Sequence, residues 1–420
     1  MWSGLLLLFI SPKPCLRVVF MTARRLLVEL DTNPDLHYFG CVIMDEAHER
    51  TIDGDLCLGM IKEILHRRED LKLVITSGTM DEKVFKEYFG GFGVKRIEVE
   101  GREYPVEIKY EVASREEWEY SYIERALNEV IEICGVMLDK WLSGESEAVG
   151  HILVFFTSPS DRRLAEKRVL EMLEAIDHRA HIEIRGLHGR MTRDEQRDIF
   201  KPCHPQSLHK VIFATNVAET SLTIPGVRYV VDCGLANVKK YDAKRQISLL
   251  KRCAISKSEA KQRAGRAGRV QQGVCYRLYS KKVYAEMEDV AQPEISWMSI
   301  DYTVLCLLSV GVCDLCGFDL IQRPGNDCIA RSHAMLVSIE TIAVDEETGC
   351  LELTARGREI IRLPVQPMLA HMLLESLELD LLPEMAAVCA CIHIGSLFMR
   401  HLDDEGRCQM DQVLMSFYDE

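Results

Sequence analysis

Asp45-Glu46-Ala47-His48 directly follows the apolar run Cys41–Met44. Carboxylates at the carboxyl end of a buried parallel strand face the crevice where α/β proteins bind ligands. In nucleotide hydrolysis the first acid at such a place holds Mg2+, and a neighbouring acid can polarise the attacking water. Two adjacent acids are also a common helix start, so the pair gains meaning only beside a second motif. That motif is Gln262-Arg263-Ala264-Gly265-Arg266-Ala267-Gly268-Arg269. Arginines at every third or fourth position, spaced by Gly and Ala, would set several guanidiniums on one helix face with no bulk between them. That arrangement suits bidentate contact with phosphate oxygens, including charge developing on a transferred γ-phosphoryl group. A merely solvated helix has no use for Gly265 and Gly268, which cost helix stability.

Charge distribution supports a phosphate-binding surface. The 420 residues carry a net charge of −14, which argues against adhesion to nucleic acid by bulk charge. Residues 236–282, however, hold fourteen Lys and Arg against two acids, Asp242 and Glu259. A local excess of that size is what a phosphate-binding face requires. Hydrophobic residues at 47% and charged residues at 28% exclude a disordered polymer, a collagen-like fibre and a small disulfide scaffold. No stretch approaches the ~20 apolar residues of a membrane span, and the short run Leu5–Ile10 has no basic residue ahead of it, as a signal peptide would. The sixteen cysteines are scattered among apolar neighbours and read as small buried hydrophobes in a reducing compartment. Cys313-x-x-Cys316 and Cys389-x-Cys391 with His393 are more than seventy residues apart, and the second cluster is too tight for a zinc knuckle.

The elements that must position these groups alternate. Strand-like runs at 41–44, 71–76, 151–156, 210–214 and 227–231 are short, apolar and rich in Val, Ile or Phe, as strands buried on both faces are. A helical pattern covers 116–142, and the polar stretch 143–150 reads as a linker. The fold class is therefore α/β with mainly parallel strands. Past Gln292-Pro293 helical periodicity takes over at 300–310 and 330–342. A turn at 345–349 and a short strand at 351–354 follow, a helix–helix–wing order resembling a winged-helix module, and the pattern is helical again from Pro364.

Together, Asp45–His48 and Gln262–Arg269 resemble motifs II and VI of the DEAH-box (DEAH/RHA) RNA helicases of superfamily 2. Other blocks follow in that family's order. Phe20-Met21-Thr22 with Leu26-Leu27 resembles motif Ib, and Ser77-Gly78-Thr79 stands at motif III. Phe155-Phe156-Thr157-Ser158 resembles motif IV, and the run from Ala214 to Ile224 is similar to motif V almost letter for letter. Leu353 to Glu359, then Leu363-Pro364 and Pro367, resembles the junction of winged helix and ratchet. The resemblance implies an incomplete first RecA-like domain at 1–110 and a helical connector at 111–150. A complete second RecA-like domain at 151–290, a winged helix at 291–360 and a partial helical ratchet-like domain at 361–420 would follow. It implies an ATP-dependent RNA helicase, coupling hydrolysis of ATP or another NTP to 3′-to-5′ translocation and unwinding.

On the same resemblance, Asp45 would hold Mg2+ through water and Glu46 would activate the hydrolytic water. His48 would couple to the second domain through Gln262, and Arg266 and Arg269 would act on the γ-phosphate. Leu235 would pack on the base, and Ser77 and Thr79 would couple hydrolysis to RNA grip. Thr22, Thr157, Ser158, Thr215, Asn216 and Thr220 would face the phosphates of single-stranded RNA in a channel, contacts that position a strand without reading its sequence. A strand-separating β-hairpin is expected at 243–255. The implied partners are RNA and a protein activator, with no membrane, in nucleus or cytoplasm.

The chain also departs from the family pattern. It has no Gly-Lys dipeptide, so it lacks the Walker A loop G-x-x-x-x-G-K-S/T whose backbone N–H groups and Lys cradle phosphates. Ser11-Pro12-Lys13 already resembles the segment before motif Ib, which places the expected P-loop upstream. The chain is thus expected to be truncated at the N-terminus, and at the C-terminus within the ratchet-like region. Arg24 stands where motif Ib has Gly, Leu235 where many members have Phe, and Gly78 where they have Ala. Two outcomes follow for this polypeptide: the hydrolytic portion of a helicase that is inactive alone, or a catalytically inactive RNA-binding remnant.

Overall fold

The computed structural model describes residues 5–10, 16–78, 82–99, 101, 104–112, 114–144, 150–175, 182–189, 191–204, 207–219, 223–242, 247–313, 317–345, 350–363 and 365–394. Thr79 and Thr220 lie outside them. The chain divides into two compact units, Met1–Ser299 with Asp319–Gly325, and Ile300–Phe318 with Asn326–Glu420.

The first unit holds two sheets. In the smaller, strands β1 (Leu5–Ile10), β2 (Leu16–Met21), β3 (Cys41–Met44) and β4 (Lys72–Ile75) take the order β2-β1-β3-β4. β3 and β4 are parallel, Met44 opposite Ile75, as their apolar runs suggest. β1, which lies outside the strand-like runs read from the sequence, runs antiparallel to both neighbours. Helix α1 (Ala23–Thr32) starts at Thr22 and α2 (Ile52–Arg67) at Thr51, each cap hydroxyl accepting a first-turn N–H. The short helix α3 (Glu82–Tyr88) follows β4.

The larger sheet is wholly parallel. It comprises β5 (Val106–Tyr110), β6 (His151–Phe155), β7 (Ile182–Leu187), β8 (His209–Ala214), β9 (Val227–Asp232) and β12 (Gly273–Arg277), ordered β5-β12-β9-β6-β8-β7. Helices α4 (Arg115–Leu142), α5 (Pro159–Ala175), α6 (Arg193–Phe200), α7 (Lys257–Gly265) and α8 (Lys281–Glu286) accompany it. Two expected boundaries move. β5, assigned by sequence to a domain ending at 110, pairs with β12 along its whole length. α4, expected to be a connector, carries Trp118, Tyr122, Leu127, Val130 and Met137 into the same core as Phe156, Phe213 and Val231. Its 28 residues bury one apolar stripe, and the Trp118 indole donates to the Cys233 carbonyl at 2.6 Å. The larger sheet and its core thus take in residues from 106 onward, ahead of the expected start at 151. An antiparallel hairpin, β10 (Leu235–Asp242) with β11 (Ile247–Ala254), extends from Leu235 opposite Ala254, a longer element than the expected 243–255. Residues 243–246 lie outside the described set.

The second unit contains α9 (Asp301–Ser309), α10 (Asn326–Ser338), the two-stranded wing β13 (Ile342–Val344) and β14 (Leu351–Leu353), then α11 (Ala355–Ile360), α12 (Pro367–Glu378) and α13 (Leu382–Ile394). α11 lies so close to the chain before the wing that a Cβ on Gly357 would stand 2.1 Å from the Thr341 carbonyl oxygen. Residues 291–299 and 319–325, expected within the winged helix, belong to the first unit. Lys62 pairs there with Asp319 at 2.7 Å, and Gln322 donates to Ser296 at 2.9 Å.

Candidate functional site

β3 delivers Asp45 to its carboxyl end, where the side chain is exposed. Asp45 Oδ1 accepts the Thr76 hydroxyl and the Glu46 N–H, the latter at 3.1 Å. The Ala47 N–H reaches the Thr76 carbonyl at 3.2 Å, so the acidic loop is pinned to the end of β4. Glu46 (φ 53°) and Arg50 (φ 47°) are left-handed and bracket the 3₁₀ turn Ala47–Glu49. Non-glycine residues held there cost about 1–2 kcal/mol each and persist where surroundings enforce them. Arg50 supplies part of that enforcement through a two-pronged bond to buried Asp55, both prongs 2.9 Å. Burial raises the Asp55 pKa, and Arg50 opposes the rise.

His48 joins both sheets. Its Nδ1 lies 3.0 Å from Ser77 Oγ and 3.4 Å from Glu46 Oε2, and its Nε2 lies 2.7 Å from the Gln262 amide nitrogen. Burial lowers its pKa against the pull of Glu46 and Asp45. The neutral imidazole with its proton on Nδ1 satisfies both hydrogen bonds, Nδ1–H donating to Ser77 and Nε2 accepting from Gln262, and it turns the Nδ1 proton towards Glu46 as well. One side chain thus links the acidic loop, the strand after which Ser77 lies, and α7.

α7 opens with a capping box between Ser256 and Glu259 and ends at Gly265. The arginines consequently do not share one helix face. Arg263 lies in the helix and is 1% exposed, while Arg266 is the C-cap and Arg269 falls in the turn beyond. Arg263 bonds Glu219 at 3.0 Å, Asp232 at 2.9 Å and the Leu235 carbonyl at 3.3 Å, with its guanidinium 4.8 Å from the Phe155 ring centre. Asp232 also accepts the Tyr279 hydroxyl at 2.8 Å. Arg266 donates to the Glu219 carbonyl; burial, then the Arg269 charge, lower its pKa to about 10. Exposed Arg269 donates to Thr223 Oγ1. Gly268 is required by the Tyr104 carbonyl, 2.5 Å from where its Cβ would be, whereas a Cβ on Gly265 meets open space.

Other expected contacts divide. Asn216 is exposed at the start of a 3₁₀ turn, and Ser158 is half-buried, its hydroxyl accepting the Asp161 N–H at 3.1 Å. Thr22 is half-buried, with its hydroxyl capping α1. Thr157 and Thr215 are buried, and Thr157 commits its hydroxyl to Asp161 at 2.6 Å rather than offering it to a ligand. Leu235 is 1% exposed inside the larger sheet's core, so it offers a base no surface, and the expected packing role is corrected. The sequence singled out none of Thr76, Arg50, Asp55, Glu219 or Asp232 for a role. Glu219 lay within a recognised block, whereas Asp232 carried no local signal.

Among the described residues no cluster of three or more His, Cys, Asp and Glu is poised around a metal. Mg2+ needs no such cage, because it keeps waters and phosphate oxygens and takes one or two carboxylates. Exposed Asp45 beside Glu46 fits that demand.

The acids at the end of β3 in the smaller sheet are thus bridged by His48 to α7, the helix that leads into the arginines. Residues 130–271 match the helicase conserved C-terminal domain, and 366–412 the ratchet-like helicase-associated domain HA2. The chain is 36% identical over 410 residues to the ATP-dependent RNA helicase DEAH12, chloroplastic, of Arabidopsis thaliana, covering 96% of this chain and 22% of that one. It is 32% identical over 392 residues to the ATP-dependent RNA helicase HrpA of Escherichia coli, covering 92% and 28%. The crystal structure of the Escherichia coli DEAH/RHA helicase HrpB superposes with a TM-score of 0.74 at 26% identity, over 88% of this chain and 44% of that one. Across these spans the chain is similar to helicases of the DEAH/RHA type, and it spans under a third of the curated relatives' length.

Proposed function

We propose that this chain carries the hydrolytic acids and arginines of a DEAH-type ATP-dependent RNA helicase. The observation behind this is the Ser77–His48–Gln262 bridge, which sets Asp45 and Glu46 against the helix leading to Arg266. Asp45 would hold Mg2+ through water, and Glu46 would accept a proton from the attacking water. Arg266 and Arg269 would meet the charge developing on the γ-phosphoryl group. Arg269 is exposed and free to swing from Thr223, whereas Arg266 must leave a backbone carbonyl. Asn216 and Ser158 would grip RNA phosphates, with Thr22, Thr79 and Thr220 as further candidates.

One observation favours a second function. These 420 residues encode no phosphate-cradling Gly-Lys loop. Hydrolysis would then need a cradle supplied from elsewhere, and the chain alone would bind RNA without turning over ATP. The deciding experiment is ATP hydrolysis by residues 1–420 with and without RNA, with Glu46→Gln as control. Stimulated turnover lost in the variant supports hydrolysis by this chain alone. Salt-dependent RNA binding with no turnover supports the binding function. Neither activity would refute both.

A further inference from the structure

The segment from Glu288 to Met298, after the last strand of the larger sheet, serves no motif considered above. Its two ends touch the starts of α7 and α2. At one end the Glu288 and Asp289 carbonyls accept the Lys257 and Ser258 N–H groups at 2.8 and 3.1 Å. Lys257 Nζ meets Asp289 Oδ1 at 2.8 Å, so the first turn of α7 is held three times. At the other end Glu294 makes a reciprocal pair with the DEAH loop: its N–H donates to the Arg50 carbonyl at 3.1 Å, and its Oε2 accepts the Ile52 N–H at 3.0 Å. Ile52 is the first residue of the 16-residue α2, where a carboxylate meets the positive end of the helix dipole. Ile295 beside it is 2% exposed.

We infer that Glu294 is a positioning residue for the DEAH loop, acting as the far end of a strap from the start of α7, the helix that leads into the arginines. Residues 45–52 must hold two left-handed residues in place, Glu46 and Arg50. The β4 end secures the front of the loop through Thr76, and Glu294 secures the back at Arg50 and Ile52. Between Asp289 and Glu294 lie five chain steps, one of them into Pro293, which reach at most about 17 Å. While both ends stay bonded, the starts of α7 and α2 can part by no more than that reach plus the hydrogen-bonded links at its two ends, so the acidic loop stays tethered to the helix that leads into the arginines. That this loop is the reacting end rests on the function proposed above; the hold on the loop does not.

The test is hydrogen exchange on the full 420-residue chain without nucleotide, comparing Glu294→Ala and Glu294→Gln with the parent. In the alanine variant the amides of 46–54 should exchange about tenfold faster, the loss of one or two hydrogen bonds. Amides of β8 and β9 should be unchanged. Gln keeps an acceptor oxygen and should restore most of the protection. Unchanged exchange at 46–54 in Glu294→Ala would overturn the inference. So would acceleration spread equally into β8 and β9, which marks a general structural role, or a Gln variant as fast as Ala. Because the readout needs no ATP, a failure of the hydrolysis assay leaves this result standing.

Discussion

Replacing Arg263 with Met removes the charge from the most enclosed ionic group of the larger sheet while nearly preserving side-chain volume. The guanidinium is 1% exposed, and its partners Glu219 and Asp232 are 6% and 0% exposed. Removing one member of such a group strands the others, at a cost of about 3–5 kcal/mol. At 1.4 kcal/mol per decade that is roughly two to three and a half powers of ten in the opening equilibrium of the sheet. The cost should depend on pH. Burial raises the Glu219 pKa to about 7, and Arg263 is the main group holding it down. A carboxyl whose folded pKa is raised stabilises the fold fully only below its unfolded value. That contribution is lost as pH climbs towards the folded pKa. The parent stops losing it near pH 7, whereas in Arg263→Met the folded pKa climbs further and the loss continues. The destabilisation should therefore be larger at pH 8 than at pH 6. Exchange rates of the β8 and β9 amides, corrected for intrinsic pH effects, report it directly. A fall in protection below tenfold, or an equal fall at both pH values, would refute this account of the buried network.

Three further outcomes are expected. His48 should titrate below its ordinary 6.5, because burial outweighs its two acidic neighbours. As pH falls through 6.5 the unfolded chain binds the proton first, so the bridge loses stability on acidification, and an NMR midpoint above 6.5 would contradict this. Gln262→Ala removes the amide from Nε2 and should raise that midpoint, because water can then solvate the imidazolium; an unmoved midpoint would show that Gln262 does not hold the imidazole neutral. Gly357→Ala drives a methyl into the Thr341 carbonyl and should destabilise the second unit by about 1–3 kcal/mol. Its effect should appear in exchange at 342–353 and leave β8 and β9 untouched.

The parallel strands were legible because each is a short apolar run, and the acidic loop because it follows one of them without a break. The boundary of the second RecA-like body was not. β5 reads Val-Glu-Ile-Lys-Tyr, an alternating edge strand, and nothing local says that its partner is β12 more than 160 residues away. α4 was recognised as a helix, but the burial of Trp118 and Tyr122 against the larger sheet comes from tertiary packing that periodicity cannot assign to one body or another. Thr157 shows the same limit at a single residue. Its motif matches a phosphate-contacting position, yet the nearby Asp161 and Tyr122 draw its hydroxyl inward.

The three arginines of one motif make the point most sharply. Spaced three apart, Arg263, Arg266 and Arg269 look interchangeable, and a continuous helix would have lined them up. The helix instead stops at Gly265, and the Gly268 backbone must pass against Tyr104. Arg263 is thereby left facing two buried carboxylates, Arg266 buried against a carbonyl, and Arg269 in solvent. Only a guanidinium that can give up its present partner cheaply can move onto a phosphate. Arg269 meets that condition, since its hydroxyl partner is surface-placed. Arg266 meets it in part, since its burial and lowered pKa already make the charge costly where it stands, so an anion entering the cleft would relieve it. Arg263 does not, because leaving would expose Glu219 and Asp232 to each other. Substituting Arg263 should thus be felt first in stability, and substituting Arg269 first in turnover.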